Sequence, residues 1–221
     1  MNEVLINGIL LNSDGDMVVR ASSGGQFEPQ TFAYLDTVFP SGGLMIDVGA
    51  YSGVYSIYCA KKHSAVCYAF EPNPLMYGRL NENITLNNAQ RHIHAMNFGL
   101  SNERAKLPFY TSPSTLLTSA GSFQPSRRKP RKQQLEVEVY DDLPLSVLSV
   151  DLIKIDVEGY ELKVISGMVE TIKRDRPIMI VECLGEKELN ECDQLLIEQL
   201  GYERVACLDE RNYAYEHRGN N

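Results

Sequence analysis

Long apolar runs are missing from this 221-residue chain. None approaches the roughly 18 residues that a membrane-spanning helix requires. The opening stretch, MNEVLINGILLNSDGD, has no basic segment and breaks at Gly8 and Asn12, so no secretory signal is read there. Positive charge is in deficit: 21 Lys and Arg stand against 29 Asp and Glu, a net charge of −8. Broad binding to nucleic acid or an anionic membrane needs a cationic face, so both are disfavoured as partners. The cysteines (Cys59, Cys67, Cys183, Cys192 and Cys207) are odd in number and contain no C-x-x-C pair. They read as buried free thiols in a reducing, cytoplasmic compartment. What is present is ordinary: 43% hydrophobic and 23% charged residues, as in globular proteins. A chain of this length buries roughly 70% of its unfolded surface and needs no disulfide or metal to fold.

The pattern along the chain is an alternation, with no internal repeat. VLINGILL and DMVVR read as a hairpin turning at SDG. EPQTFAYLDTVF follows as a helix, with Pro29 in its first turn and an apolar stripe of Phe32, Leu35 and Phe39. Strands are expected at LMIDVG (44–49), AVCYAFEP (65–72), HIHAMNF (92–98), LIKIDVEG (152–159) and PIMIVEC (177–183). Helices are expected at GVYSIYCAKKH (53–63), PLMYGRLNENITLNN (74–88), YELKVISGMVETIKR and KELNECDQLLIEQLG. Strands alternating with helices of this length imply an α/β fold with a mostly parallel sheet. YERVACLD and NYAYEHR close the chain as a hairpin, which adds an antiparallel strand at one edge. KLPFY and LEVEVY flank a polar insertion, 111–134, that ends in the basic run RRKPRK. The expected organisation is a single domain, 1–221, with an N-terminal hairpin and helix (1–40) and an α/β core (41–221).

In open α/β sheets ligands bind beyond the carboxyl ends of the strands. Those ends here carry Asp47-Val-Gly49-Ala50-Tyr51-Ser52-Gly53, then Glu71-Pro72-Asn73, Asn97-Phe98, Asp156-Val-Glu158 and Glu182. Ionisable groups are not buried without partners, so a polar crevice is expected. The glycine turn lacks the middle glycine of G-x-G-x-x-G, whose place Tyr51 takes, and no G-x-x-x-x-G-K-[ST] loop occurs. A diphosphate is therefore not provided for. Free N–H groups at a helix start suit a carboxylate instead. Glu71 lies 24 residues after Asp47, about where an acidic residue takes ribose hydroxyls, and a carboxylate accepts both O–H groups of a diol. Asn73 and Pro74 cap and open the next helix. A ligand with a carboxylate, a ribose and no phosphate is S-adenosylmethionine.

IDVGAYSGVYS, YAFEPNPLMYGRLNENITLNN and LIKIDVEGYELKVISG, in that order and spacing, resemble the FkbM-type methyltransferases over about residues 27–184. The resemblance implies a class I, Rossmann-like fold and S-adenosylmethionine-dependent methylation of hydroxyls on sugars, glycolipids or polyketide products. It implies a mostly parallel seven-stranded sheet with a C-terminal antiparallel hairpin. It also implies that Asp47 and the Gly49–Gly53 turn hold the methionine end, Glu71 the ribose, and Asn97 and Phe98 the border of the adenine. Tyr51 stands where the family often has Asn, and NFGLSN departs from a pattern in which a small residue often precedes Leu.

Methylating an alcohol requires in-line alignment and removal of a proton. Asp156 and Glu158 are the candidate bases, on one side of an extended strand. Their alternative roles are to orient the cofactor and to cap a helix. Asp156 and Glu182 are the pair that would take Mg²⁺, which is not favoured. His63, His92 and His94 are placed away from the crevice. The acceptor, a small molecule or saccharide, would meet a lid formed by residues 1–39 and the 111–134 insertion. Thr111, Ser112, Ser114, Thr115, Thr118 and Ser119 offer hydroxyls for sugar recognition. Arg127, Arg128, Lys129, Arg131 and Lys132 suit a phosphate. Other readings are a natural-product O-methyltransferase, a nicotinamide oxidoreductase, which Tyr51 argues against, and a non-catalytic S-adenosylmethionine-binding module. The oligomeric state is not read from the sequence.

Overall fold

The computed structural model describes residues 3–14, 25–111, 123 and 131–219. Five parallel strands alternate with helices, as the hydrophobic pattern requires: β3 (Leu44–Val48), α2 (Val54–His63), β4 (Val66–Phe70), α3 (Pro74–Leu86), β5 (Ile93–Met96), β9 (Leu152–Ile155) and β10 (Ile178–Glu182). β11 (Tyr202–Leu208) and β12 (Asn212–His217) complete a seven-stranded sheet in the order β11-β12-β10-β9-β3-β4-β5. The closing hairpin does not add its antiparallel strand at an edge. β12 inserts between β10 and β11, antiparallel to both, and β11 forms the edge. Strand order reverses between β3 and β9, which pair in parallel.

The central strands are buried on both faces, which is why they read as continuous apolar runs. Met45, Cys67, Leu152 and Ile180 pack with the residues of α1 (Pro29–Val38), α2 and α3. Ile46, Val48, Ile153 and Val181 pack on the other face with the later helices. The helix expected over YELKVISGMVETIKR is two helices, α4 (Glu161–Ser166) and α5 (Val169–Asp175). The break falls at Gly167, where a Cβ would lie 2.0 Å from the carbonyl oxygen of Ser101. α6 (Glu186–Asp193) runs into a π-helical turn, Gln194–Gln199.

VLINGILL itself holds a hairpin, in which β1 (Glu3–Ile6) and β2 (Ile9–Asn12) turn at Asn7-Gly8. Both turn residues have positive φ, 48° and 81°, the signature of an Asn-Gly turn between strands. DMVVR lies outside the described residues. Backbone N–H groups of β2 are satisfied by one side of a helix: Asn83 of α3 and Asn87, its C-cap, accept from the N–H groups of Asn12 and Leu10 at 2.8 and 3.1 Å. Side chains four apart on a helix thus meet backbone groups two apart on a strand. Arg79 adds bonds to the carbonyls of Asn12 and Asp14. The Phe32, Leu35 and Phe39 stripe is buried as its spacing requires.

KLPFY and LEVEVY form β7 (Ala105–Thr111) and β8 (Arg131–Glu138), which pair antiparallel beside the short β6 (Gly99–Leu100) in a separate three-stranded sheet. Ser112, Ser114, Thr115, Thr118, Ser119, Arg127, Arg128 and Lys129 lie outside the described residues. Thr111 and Arg131 are the facing ends of the two strands, and Lys132 is exposed on β8. Four cysteines are buried free thiols, whereas Cys207, on the edge strand, is exposed. Among the described residues no helix is long and apolar enough to cross a membrane.

Candidate active site

A cleft opens where the strand order reverses, the place such sheets reserve for ligands. Asp47, Gly49–Ser52, Glu71, Pro72, Asn73, Asp156 and Glu158 line it, joined by Phe27, Val54, Tyr55, Met76, Phe109, Phe123 and Val157. The glycine turn is held tightly. The N–H groups of Gly49 and Ala50 donate to the carbonyl of Phe70, and that of Gly53 donates to Ala50. These N–H groups are therefore spent within the fold, and the free ones expected at the helix start are those of the next element. The first-turn N–H groups of α2, Val54 to Ser56, lack intrahelical partners by geometry. Gly49 has φ 83°, and a Cβ there would sit 1.8 Å from the Asp156 carbonyl oxygen. The turn on β3 and the end of β9 therefore touch only because this residue is glycine.

Glu71 ends β4 with its side chain folded back on the turn. One carboxylate oxygen accepts from the N–H of Tyr51 at 2.9 Å, the other from the N–H of Asn73 at 2.8 Å. Each oxygen keeps a further lone pair for the cleft. Burial pushes this carboxyl up to about 7, against the pull of those two N–H bonds. Asp47 is 2% exposed and accepts from the Ser56 hydroxyl at 2.5 Å. Its carboxyl is raised to about 6, again by burial. Asn73 caps α3 by accepting from Leu75, with Pro74 in the first turn. The buried Ser52 hydroxyl, which lines the cleft, has no protein partner. Such an orphan wants a ligand or water.

Asp156, Glu158 and Glu182 bring carboxylate oxygens within 4.8 Å of one another. Strand alternation is not the cause, since β9 ends at Ile155 and Glu158 and Gly159 turn back with φ 55° and 95°. Burial raises the Glu158 carboxyl, and the neighbouring Asp156 raises it further. Glu182 is raised by burial and by its hydrogen bond with Asp156. Just ahead of α4, whose N-cap is Tyr160, Glu161 accepts from the N–H of Gly159 at 2.7 Å.

Asn97 and Phe98 are not among the residues lining the cleft. The Asn97 amide donates to the carbonyls of Glu71 and Pro72 and ties β5 to β4. Phe98 packs edge-on against Phe70 at 5.5 Å. Gly53 caps α2 with φ 88° and also lies outside the lining. His63 pairs with Asp36, His92 bonds the carbonyl of Ala65, and His94 stacks on Tyr68, all away from the cleft.

Several groups escaped the sequence reading. Lys154 is 1% exposed, 3.7 Å from Asp156 and 5.0 Å from the ring centre of Tyr55. Its signal was present, a lysine inside the apolar strand LIKI, where cations seldom lie without a buried anion. Tyr55 bonds Glu28, whose own carboxyl is raised by burial and moderated by Lys154. The Phe27 backbone is clasped by the Asn7 side chain in both directions, at 2.8 and 3.1 Å. The hairpin turn thereby positions a wall of the cleft. Phe123 packs on Phe109 and Tyr160. No local pattern marks these rings as site residues.

The architecture is that of Rossmann-like methyltransferases. Residues 47–204 match the model of the methyltransferase FkbM domain, and the chain belongs to that family. It is similar to the methyltransferase sdnD of Sordaria araneosa, 29% identical over 74% of this chain and 75% of that protein. It is also similar to the hexuronic acid methyltransferase AglP of Haloferax volcanii, 30% identical over 69% of this chain and 60% of AglP. Among solved structures, the methyltransferase FkbM of Methylobacillus flagellatus superposes with a TM-score of 0.59 at 17% identity, over 81% of this chain and 44% of that one. TYW2 of M. jannaschii, solved in complex with AdoMet, gives 0.55 at 15% identity, over 98% and 86%.

Proposed function

We propose that this methyltransferase uses S-adenosylmethionine to methylate a hydroxyl of a sugar, glycan or related small molecule. The observation that carries the reading is the division of one cleft. Buried Glu71 and the glycine turn form one part, and the Asp156, Glu158 and Glu182 carboxylates gather beside another. The residues fit the donor: Glu71 has acceptor capacity for a ribose diol, and Ser52 holds an unpaired buried hydroxyl. The similarity to a hexuronic acid methyltransferase supports a saccharide acceptor.

When bound, S-adenosylmethionine supplies an electrophilic methyl on a sulfonium leaving group. Asp47, Gly49, Ala50, Tyr51 and Ser52 would hold its methionine end, Glu71 and Asn73 its ribose. Phe27, Phe109 and Phe123 exclude water from the cleft. Asp156 or Glu158 takes the acceptor's proton as the new C–O bond forms, a role that needs only hydrogen-bond reach. Asp156 and Glu182 are also the oxygens that would take Mg²⁺ in a metal-assisted version. The deciding experiment follows labelled methyl transfer to a panel of hydroxyl acceptors, with Glu71→Ala alongside. Transfer by the intact protein and its loss in the variant are expected. Undiminished transfer in the variant overturns the ribose assignment.

A further inference from the structure

The N-terminal hairpin stands ahead of residues 47–204, the part of the chain that matches the family. A two-stranded hairpin is marginal by itself in water, so its order comes from docking. Ile6, Ile9 and Leu11 are buried in one apolar cluster with Leu35 of α1, Ile57 of α2 and Leu80 of α3. Ala50, Val54 and Tyr55, which line the cleft, belong to the same cluster, and Phe27 packs against it. The hairpin and the glycine-turn side of the cleft thus share one packed layer.

Hydrogen bonds join the two at separate points. At the first, the Asn7 side chain pairs with the Phe27 backbone as a neighbouring strand would. It donates to the carbonyl at 2.8 Å and accepts from the N–H at 3.1 Å. The Asn7 N–H donates to the Gly25 carbonyl at 3.1 Å. The chain then turns at Glu28 with φ 43°, a left-handed conformation that is costly for any residue with a Cβ. Such strain persists only where the surroundings fix the chain. The clasp on Phe27 fixes one side of Glu28. On the other, Asp209 accepts from the N–H groups of Gln30 and Thr31 at the start of α1. At the second point, the fully buried Asn83 accepts from the N–H of Asn12 on β2 and donates to the carbonyl of Ser52, both at 2.8 Å. One side-chain amide therefore spans hairpin and glycine turn. The Ser52 hydroxyl is buried and has no partner among the described residues.

Both connections end on residues that line the cleft, Phe27 and Ser52, although neither asparagine lines it. We propose that the N-terminal hairpin is part of the methyl-donor site, with Asn7 and Asn83 as positioning residues that hold Phe27 and Ser52 for S-adenosylmethionine. The inference rests on the donor reading above and extends that site to a segment outside the family match. A wall already held in place need not be ordered when the donor binds, and ordering subtracts from affinity. The coupling is reciprocal, so a bound donor in turn holds the hairpin down.

The test is calorimetric titration of the full chain with S-adenosylmethionine, beside the melting temperature of the free protein. Asn7→Gly keeps the positive φ of the turn, which glycine adopts freely, and removes the side-chain clasp. It is expected to weaken Kd at least ~3-fold, the effect of one lost hydrogen bond. Phe27→Ala is expected to weaken binding as well, and Asn7→Gly added to it should bring no further loss, because Asn7 acts through Phe27. Asn83→Asp retains an acceptor for Asn12 but cannot donate to Ser52, and should weaken Kd by a similar factor. In the parent, hydrogen exchange at the Leu10 and Asn12 amides should slow when the donor is bound. A merely structural role lowers the melting temperature and leaves Kd of the folded protein unmoved. A Kd less than ~3-fold weaker than the parent's in either asparagine variant overturns the role of that asparagine. A full second loss on the Phe27→Ala background overturns the route through Phe27, and unchanged amide exchange overturns the coupling. Should Asn83→Asp not fold, exchange at the Asn12 amide, which Asn83 accepts, decides for that residue. Absence of binding heat and of a melting shift in the parent strikes the donor reading itself, whereas parental binding that the variants match strikes this inference alone.

Discussion

The ammonium of Lys154 lies 3.7 Å from the carboxylate of Asp156, with the lysine side chain almost wholly out of water. Adjacent strands place Lys154 beside Asp47, its register partner on β3. A buried charge left without its partner destabilises a fold by about 3 kcal/mol or more. Lys154→Met is therefore expected to lower unfolding free energy by about 3 kcal/mol, read by urea denaturation. A loss below ~1 kcal/mol would show that the surrounding carboxylates are simply protonated in the native state.

S-adenosylmethionine is expected to raise the melting temperature, since a ligand that binds only the native state adds RT ln(1 + [L]/Kd). Glu71→Ala should remove most of that shift. Ribose hydroxyls donate to the ionised carboxylate and so favour it. Because the free group titrates near 7, binding should tighten between pH 6 and pH 8. Calorimetric titration across that range checks the trend, which Glu71→Gln should flatten.

The ligand-free protein should show the opposite dependence on pH. Glu71 rises from an ordinary 4.5 to about 7, and Asp47 from 3.8 to about 6. The folded chain therefore binds protons more tightly than the unfolded one at these groups. Their contribution is full below the unfolded values and is lost as pH rises through the folded ones. For Glu71 the whole effect is roughly 3 kcal/mol. Denaturation curves from pH 4.5 to pH 8 should fall less steeply in Glu71→Gln than in the parent. Parallel curves would contradict the assignment.

Asp156→Asn and Glu158→Gln are expected to lower turnover by about 100-fold or more while changing affinity for S-adenosylmethionine by less than about threefold. Equal losses in both measurements would make the two residues structural. A chelator is expected to leave activity unchanged, and its abolition of turnover would assign Mg²⁺ to Asp156 and Glu182.

Gly167 separates α4 from α5 at a point where the chain presses on Ser101. Its φ of −87° is open to any residue, so the demand is purely steric. Gly167→Ala should cost about 1 to 3 kcal/mol through displacement of the helix pair, read by urea denaturation. At Gly78 a Cβ would meet nothing within 4 Å, so the same change there should be tolerated or even stabilise α3.

The sequence by itself determined the alternation of strands and helices, because burial on both faces leaves continuous apolar runs that local periodicity distinguishes from amphipathic helices. It also placed Asp47, Glu71 and Asp156 at the strand ends that line the cleft. The order of the strands, with β12 between β10 and β11, was decided by tertiary pairing, which leaves no mark on the composition of a hairpin. The hairpin turn at Asn7-Gly8 was legible in principle, yet the equally turn-like SDG competes with it. Asn97 and Phe98 followed strand-end logic, whereas the bonds of Asn97 to the end of β4 and the packing of Phe98 on Phe70 emerge only in the fold. The convergence of Lys154, Tyr55 and Glu28, the folding of Glu158 towards Glu182, and the placing of Phe27 by Asn7 join residues far apart in the chain. Such contacts depend on how layers pack and on which backbone groups remain unpaired. No local pattern encodes them, so they became visible only in three dimensions.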